Sequence, residues 1–120
     1  MKKILIIEDD KYIRELYQEL LAELYDLDFA VTGREGFRRA AGTEYDLVIA
    51  DLRMPNWSGA ESIAAIDMIN PDKKYIVVSG YLEDKEFVEI LKTIPSIVAY
   101  MKKPVIVDEL LETIETALVE

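Results

Sequence analysis

Four short apolar runs in this chain end in side chains that bind cations or handle charged groups. Residues 4–7 run into Glu8-Asp9-Asp10, 47–50 into Asp51, 75–78 into Ser79, and 97–101 into Lys102-Lys103-Pro104. Taken alone, each ending has an ordinary reading. An acidic run is a solvated turn that suits the positive end of the next helix dipole, a serine there is a turn hydroxyl, and a lysine is a solvated strand end. Together they describe a site. Two carboxylates about 4 Å apart repel by roughly 4 kcal/mol at an effective dielectric of about 20, so a cluster drawn from these acids demands protons or cations. An all-oxygen ligand set suits a hard ion such as Mg²⁺ that keeps some of its waters. Asp51, followed by Leu52-Arg53-Met54-Pro55, is expected to stay exposed at its strand tip, where a carboxylate can act as a nucleophile. Lys103 precedes a proline, which biases it to extended geometry and fixes the direction of its side chain; the residues alone leave Lys102 as a competitor. The charges of Glu8, Asp9 and Asp51 would be matched by a divalent cation and one ammonium. A phosphoryl group arriving there would meet a nucleophile, a metal and a positive side chain in a neutralised pocket, which is most of what its transfer requires.

Composition narrows the chemistry further. The chain has 120 residues, 51% of them hydrophobic, so it is read as one domain over 1–120 with ample core. Histidine and cysteine are both absent, which excludes histidine metal sites, Ser-His triads, thiol nucleophiles and disulfides. With 24 acidic against 14 basic residues the net charge is −10, a balance that disfavours direct nucleic-acid binding and anionic lipid. The apolar run at 4–7 is too short for a signal peptide and stops at three acids; nothing approaches a membrane span. A cytoplasmic location is the expectation.

The elements that must position these residues alternate from end to end. Runs at 4–7, 27–31, 47–50, 75–78 and 97–101 predict buried strands. Helical spacing recurs at Tyr12/Ile13, Leu16/Tyr17, Leu20/Leu21 and Leu24. Thr32-Gly33-Arg34-Glu35 fits a capping box before a short helix lined by Phe37, Ala40 and Ala41, stopping near Gly42. After the break at Met54-Pro55-Asn56, Ser58-Gly59-Ala60-Glu61 opens a third helix with Ile63, Ile66 and Ile69 inward, ended by Asn70-Pro71-Asp72. Phe87, Val88, Leu91 and Ile94 mark a fourth helix closed by Pro95, and Leu110, Leu111, Ile114 and Leu118 a fifth. Five continuous apolar strands alternating with five helices predict an α/β fold, a doubly wound parallel sheet covered on both faces. Right-handed crossovers put every strand's carboxyl end on one edge, where such sheets bind ligands.

Over essentially its full length the chain resembles the receiver domain of bacterial two-component response regulators. The matching segments are ILIIEDD at 4–10, DLRMPNWSG at 51–59, VVSG at 77–80 and YMKKP at 100–104. The resemblance implies a flavodoxin-like sheet in the order 2-1-3-4-5. It makes Asp51 the phosphoacceptor and Glu8 and Asp9 the pair that organises Mg²⁺ (or Mn²⁺), with Asp10 a less essential neighbour. Arg53 would offer the metal its backbone carbonyl, Ser79 would hydrogen-bond a phosphoryl oxygen, and Lys103 would pair with it. Tyr100 takes the aromatic switch position, rotating inward as Ser79 moves. The donor would be a histidine kinase or histidine phosphotransfer protein in trans, since this chain has no histidine, and the change would be read at the fourth helix, fifth strand and fifth helix. The chain departs from the family at Pro95-Ser96-Ile97, where a Gly-Ala pair is usual, and at Val105, often Phe. Arg53 and Tyr81 occupy the positions that tune autodephosphorylation, and both are bulky, so a long-lived phosphoryl group is expected.

Three other readings compete. A dehalogenase-type hydrolase also uses a strand-end aspartate but wants another Asp two residues on, where Arg53 stands. A flavodoxin-like cofactor binder needs a hydroxyl- and glycine-rich first loop, whereas Glu8-Asp9-Asp10 would repel phosphate. A degenerate receiver acting only as a docking module is weakened because every carboxylate, hydroxyl and lysine position is filled. The sequence leaves open a homodimer, a separate effector protein, or a place within a longer regulator.

Overall fold

The computed structural model of the chain describes residues 1–51, 73–80 and 85–119, with backbone alone at 86, 87 and 90. Its elements run β1 (Lys3–Ile7), α1 (Lys11–Leu21), β2 (Asp26–Ala30), α2 (Gly33–Gly42), β3 (Leu47–Asp51), β4 (Tyr75–Ser79), α3 (Lys85–Leu91), β5 (Ile97–Lys102) and α4 (Val107–Leu118). The strands pair in parallel in the order β2-β1-β3-β4-β5. Four helices fall among the described residues; α3 and α4 are those read from the sequence as fourth and fifth. The third, with its capping box at Ser58 and its apolar positions at Ile63, Ile66 and Ile69, lies outside the described residues, as do Arg53 and Tyr81.

Why the strands are apolar throughout is visible in the two cores. Leu5, Ile7, Val48, Ala50 and Val77 point to the face carrying α2 and α3, while Ile4, Ile6, Leu47, Ile49, Ile76 and Val78 point to the face carrying α1 and α4. Successive side chains alternate faces, and both faces are covered, so every position between the ends of β1, β3 and β4 is apolar.

On α1 the apolar pairs divide. Ile13, Tyr17, Leu20 and Leu21 pack on the sheet, whereas Tyr12, Leu16 and Leu24, which share the same helical spacing, are exposed. A stripe with two apolar residues per turn is wider than the strip a flat sheet covers. The helix also ends at Leu21, capped at Ala22, before reaching Leu24.

Thr32 caps α2 through its hydroxyl, which accepts the Glu35 N–H at 3.1 Å, and the Glu35 carboxylate pairs with Arg39 at 3.3 Å. Ala41 is exposed, and Gly33 and Gly36 take the buried positions beside Ala40. At Gly36 the helix backbone comes so close to β1 that a Cβ would sit 2.5 Å from Ile7 Cδ1. α3 stops at Leu91, ahead of Pro95, and Ile94 enters the core from the turn that follows. Through that turn Ser96 accepts the Tyr75 N–H at 2.9 Å, and the β4–β5 register slips between Tyr75 and Ile76. Among the described residues no helix is long and apolar enough to cross a membrane.

Candidate functional site

The carboxyl edge of the sheet gathers the chemistry. β1 runs out at Glu8, whose N–H continues the ladder to the Ala30 carbonyl at 2.9 Å, leaving its side chain buried above the strand ends. Asp10 then turns the chain into α1: its carboxylate accepts the N–H groups of Tyr12 at 2.8 Å and Ile13 at 3.1 Å. Asp10 is therefore the helix cap, a positional duty. Its own N–H donates to Glu8 Oε2 at 3.0 Å. Asp9, between them, is exposed at the apex.

Asp51 is the last residue of β3 and is 6% exposed, not open at the strand tip as its position suggested. Side chains from the ends of β1 and β5, Glu8 and Lys103, lie beside it. Its Oδ2 accepts a short hydrogen bond from Lys103 Nζ, which also lies 3.8 Å from Glu8 Oε1. Geometry thus decides between the two lysines: Lys103 reaches into the pocket, and Lys102 stands exposed on β5. The Lys103–Pro104 peptide is cis, and Lys103 N–H donates to the Ser79 carbonyl at 3.0 Å. Ser79, fully buried, ends β4 opposite Lys102. Tyr100 is 40% exposed, its hydroxyl donating to the Leu91 carbonyl at 3.4 Å.

Carboxylate oxygens of Glu8, Asp9 and Asp51 lie within 4.8 Å of one another. Burial pushes the Glu8 carboxyl up to about 8, and the Asp51 carboxylate beside it acts in the same direction; the Asp10 N–H and the Lys103 ammonium pull the other way without prevailing. Glu8 Oε1 and Asp51 Oδ1 are buried with no hydrogen-bond partner among the described residues. Two orphaned oxygens beside a third, exposed carboxylate form a cradle that a hard divalent cation would satisfy from the solvent side, and one lysine alone leaves it under-neutralised.

The acidic residues at 8–10, Asp51, Ser79 and Lys103 were all legible in the sequence and are brought to one edge. Arg53 lies outside the described residues. One contact had no sequence signal: Arg14 Nη1 donates to the Glu8 carbonyl at 2.9 Å.

Strand order and pocket together define a flavodoxin-like domain with an acidic, lysine-bridged site at its carboxyl edge. The sequence matches the response regulator receiver domain family over residues 4–115. It is 31% identical over 116 residues to the transcriptional regulatory protein ZraR of Escherichia coli (strain K12), covering 96% of this chain and 26% of that protein. The chain therefore spans about a quarter of the length of that relative. Among solved structures it is similar to a CheY-like response regulator receiver domain protein from Methanospirillum hungatei, at TM-score 0.83 and 31% identity, covering 98% of this chain and 94% of that one. It is also similar to the response regulator protein TrrA from Thermotoga maritima in complex with Mg²⁺-BeF, at TM-score 0.81 and 34% identity, covering 98% and 100%. The chain belongs to the receiver domain family of two-component response regulators. Members of that family are signalling phosphoacceptors, not classical enzymes; they bind Mg²⁺ at an acidic pocket and interact with histidine kinases or phosphotransfer proteins.

Proposed function

We propose that residues 1–120 form a single cytoplasmic receiver domain whose Asp51 accepts a phosphoryl group from a histidine kinase or histidine phosphotransfer protein. An Asp51 carboxylate oxygen attacks the phosphorus, the phosphorus–nitrogen bond to the donor imidazole breaks, and the imidazole leaves with the electron pair. Lys103, already paired with Asp51, stays beside the transferred group and offsets its charge, while the Ser79 hydroxyl donates to a phosphoryl oxygen. Glu8, Asp9, Asp51 and the Arg53 backbone carbonyl would hold Mg²⁺ (or Mn²⁺), which supplies charge stabilisation to the transferring group. The observation that carries this reading is the pairing of Lys103 with a buried Asp51 whose other oxygen, like that of Glu8, lacks a partner among the described residues.

The same residues support transfer from small acyl phosphates without a protein donor, since positioning and charge make up most of the catalysis. Loss of the group by hydrolysis is slow in this reading because bulky residues, Arg53 and Tyr81, stand at the two sequence positions that tune autodephosphorylation in similar proteins. Output runs through Tyr100: as Ser79 moves toward the phosphoryl group the ring turns inward, changing the surface of α3, β5 and α4. A groove of about 930 Å³ between β5 and α4, lined by Tyr100, Lys102, Lys103 and Glu109 among others, lies on that surface. A second copy or a separate effector protein is the reader, and with a net charge of −10 the domain does not itself bind nucleic acid.

Intact-mass measurement after acetyl phosphate and Mg²⁺ tests the proposal. The wild type is expected to gain one phosphoryl group and Asp51→Asn none. No gain on the wild type would leave a docking module, and a gain on the variant would move the acceptor elsewhere.

A further inference from the structure

The acidic turn at 8–10 is tied down at several points, and one tie comes from a residue with no part in the transfer. Glu8 N–H is held by Ala30, Asp10 N–H by the Glu8 carboxylate, and the Asp10 carboxylate by the start of α1. The Glu8 carbonyl is held by Arg14, half-buried in the first turn of α1 and six residues away. On charge alone this is an unfavourable place for a guanidinium: a cation bonded to the backbone of Glu8 repels any metal that Glu8 and Asp9 would hold. What Arg14 supplies is therefore geometry. A carbonyl at the end of β1 has left the ladder, and its rotation would swing the Asp9 carboxylate and the free oxygen of Glu8 away from Asp51. A planar guanidinium with several fixed donors holds such a carbonyl in direction as well as distance.

We infer that Arg14 is a positioning residue for the cation site, fixing through the Glu8 carbonyl the direction in which Glu8 and Asp9 present their oxygens. The inference rests on the reading of that pocket as a Mg²⁺ site. Outer-shell partners that orient metal ligands typically contribute about 10- to 100-fold to affinity.

Mg²⁺ binding to the unphosphorylated full chain, followed by titration calorimetry, tests it with Arg14→Met and Arg14→Lys. Methionine keeps an apolar stem against α1 and removes the donor and the charge; lysine keeps a donor of nearly the same reach. Arg14→Met is expected to weaken Mg²⁺ binding roughly tenfold, and Arg14→Lys to recover most of the loss. In the metal-free chain the Asp10 amide should exchange faster in Arg14→Met than in the wild type, because the turn that holds it has loosened. Mg²⁺ binding by Arg14→Met equal to or tighter than wild type would overturn the inference, tighter binding being what loss of a repelling charge alone produces. A wild type that binds no Mg²⁺ would overturn the pocket's reading and Arg14's role together. Circular dichroism checks folding, with Arg14→Ala as the second variant should methionine disturb the helix.

Discussion

At the scale of single residues the site is an unsettled charge balance. Asp51 and Glu8 are both buried, Asp9 completes the cluster, and among the described residues Lys103 is the cation that reaches Asp51 and Glu8. Glu8 keeps its proton to about pH 8 because ionising it beside Asp51 in a buried position is costly. Removing the Asp51 charge should therefore relieve the fold: Lys103 can turn to Glu8, already 3.8 Å away. Asp51→Asn is expected to raise stability in urea denaturation by about 1 kcal/mol when metal is chelated, the worth of somewhat less than one pKa unit at Glu8, which the fold no longer has to keep protonated against the Asp51 charge. Added Mg²⁺ should stabilise the wild type more than the variant and close the gap. A variant less stable than wild type under chelation would show that the Lys103–Asp51 pair outweighs the repulsion.

At the scale of elements, the tip of β1 is held from both sides of the sheet. α1 reaches it through Asp10 and Arg14, and α2 packs against its last apolar residue through Gly36. Glycine is required there for space, since its missing Cβ is where Ile7 lies. Gly36→Ala forces α2 away or drives Ile7, 3% exposed, off its rotamer. Overpacking of this kind costs about 1–3 kcal/mol. We expect that loss in urea denaturation, and a smaller one in an Ile7→Val background, which removes the Cδ1 contact at 2.5 Å and leaves the Cγ1 contact at 2.9 Å; equal losses in both would place the strain elsewhere.

Across the whole molecule the two edges of the sheet do different work. The carboxyl edge concentrates like charges. Toward the opposite edge three polar contacts pair such groups: the Tyr45 hydroxyl donates to Asp28 at 2.7 Å, Lys73 Nζ to the Tyr45 carbonyl at 2.6 Å, and Lys3 N–H to Asp46 at 2.8 Å. Burial, then the hydrogen bond to Asp28 and its charge, pushes the Tyr45 hydroxyl up to about 12, while burial holds the Lys73 ammonium below its usual range. The sign for Tyr45 is that of an acid whose folded pKa is raised. Its stabilisation is complete below the unfolded value of 10.0 and is lost as pH rises toward about 12, because the unfolded chain releases the proton first. That loss approaches about 1.4 kcal/mol for each pH unit in the window. Tyr45→Phe should be less stable at pH 8, with the hydrogen bond gone, and should lose stability less steeply between pH 10 and 12. Parallel profiles for the two proteins would remove Tyr45 from the alkaline transition.

Much of this was legible in the sequence, for a physical reason. A sheet covered on both faces requires inner strands that are apolar between their ends, so these strands announced themselves as runs, and the first polar residue after each marked the edge where chemistry sits. Glu8, Asp51 and Ser79 were readable from that pattern, and the ammonium was narrowed to Lys102 or Lys103. Helix faces were less so: Tyr12, Leu16 and Ala41 belong to apolar spacings yet face solvent, because a sheet accepts only part of a broad stripe. What only the tertiary structure decided was direction and proximity. Lys103 and not Lys102 enters the pocket, Asp51 is enclosed, Asp10 caps a helix, and Arg14 grips a carbonyl six residues back. Each of these depends on where separate strand tips converge in space, a relation between distant segments that local residue order does not encode.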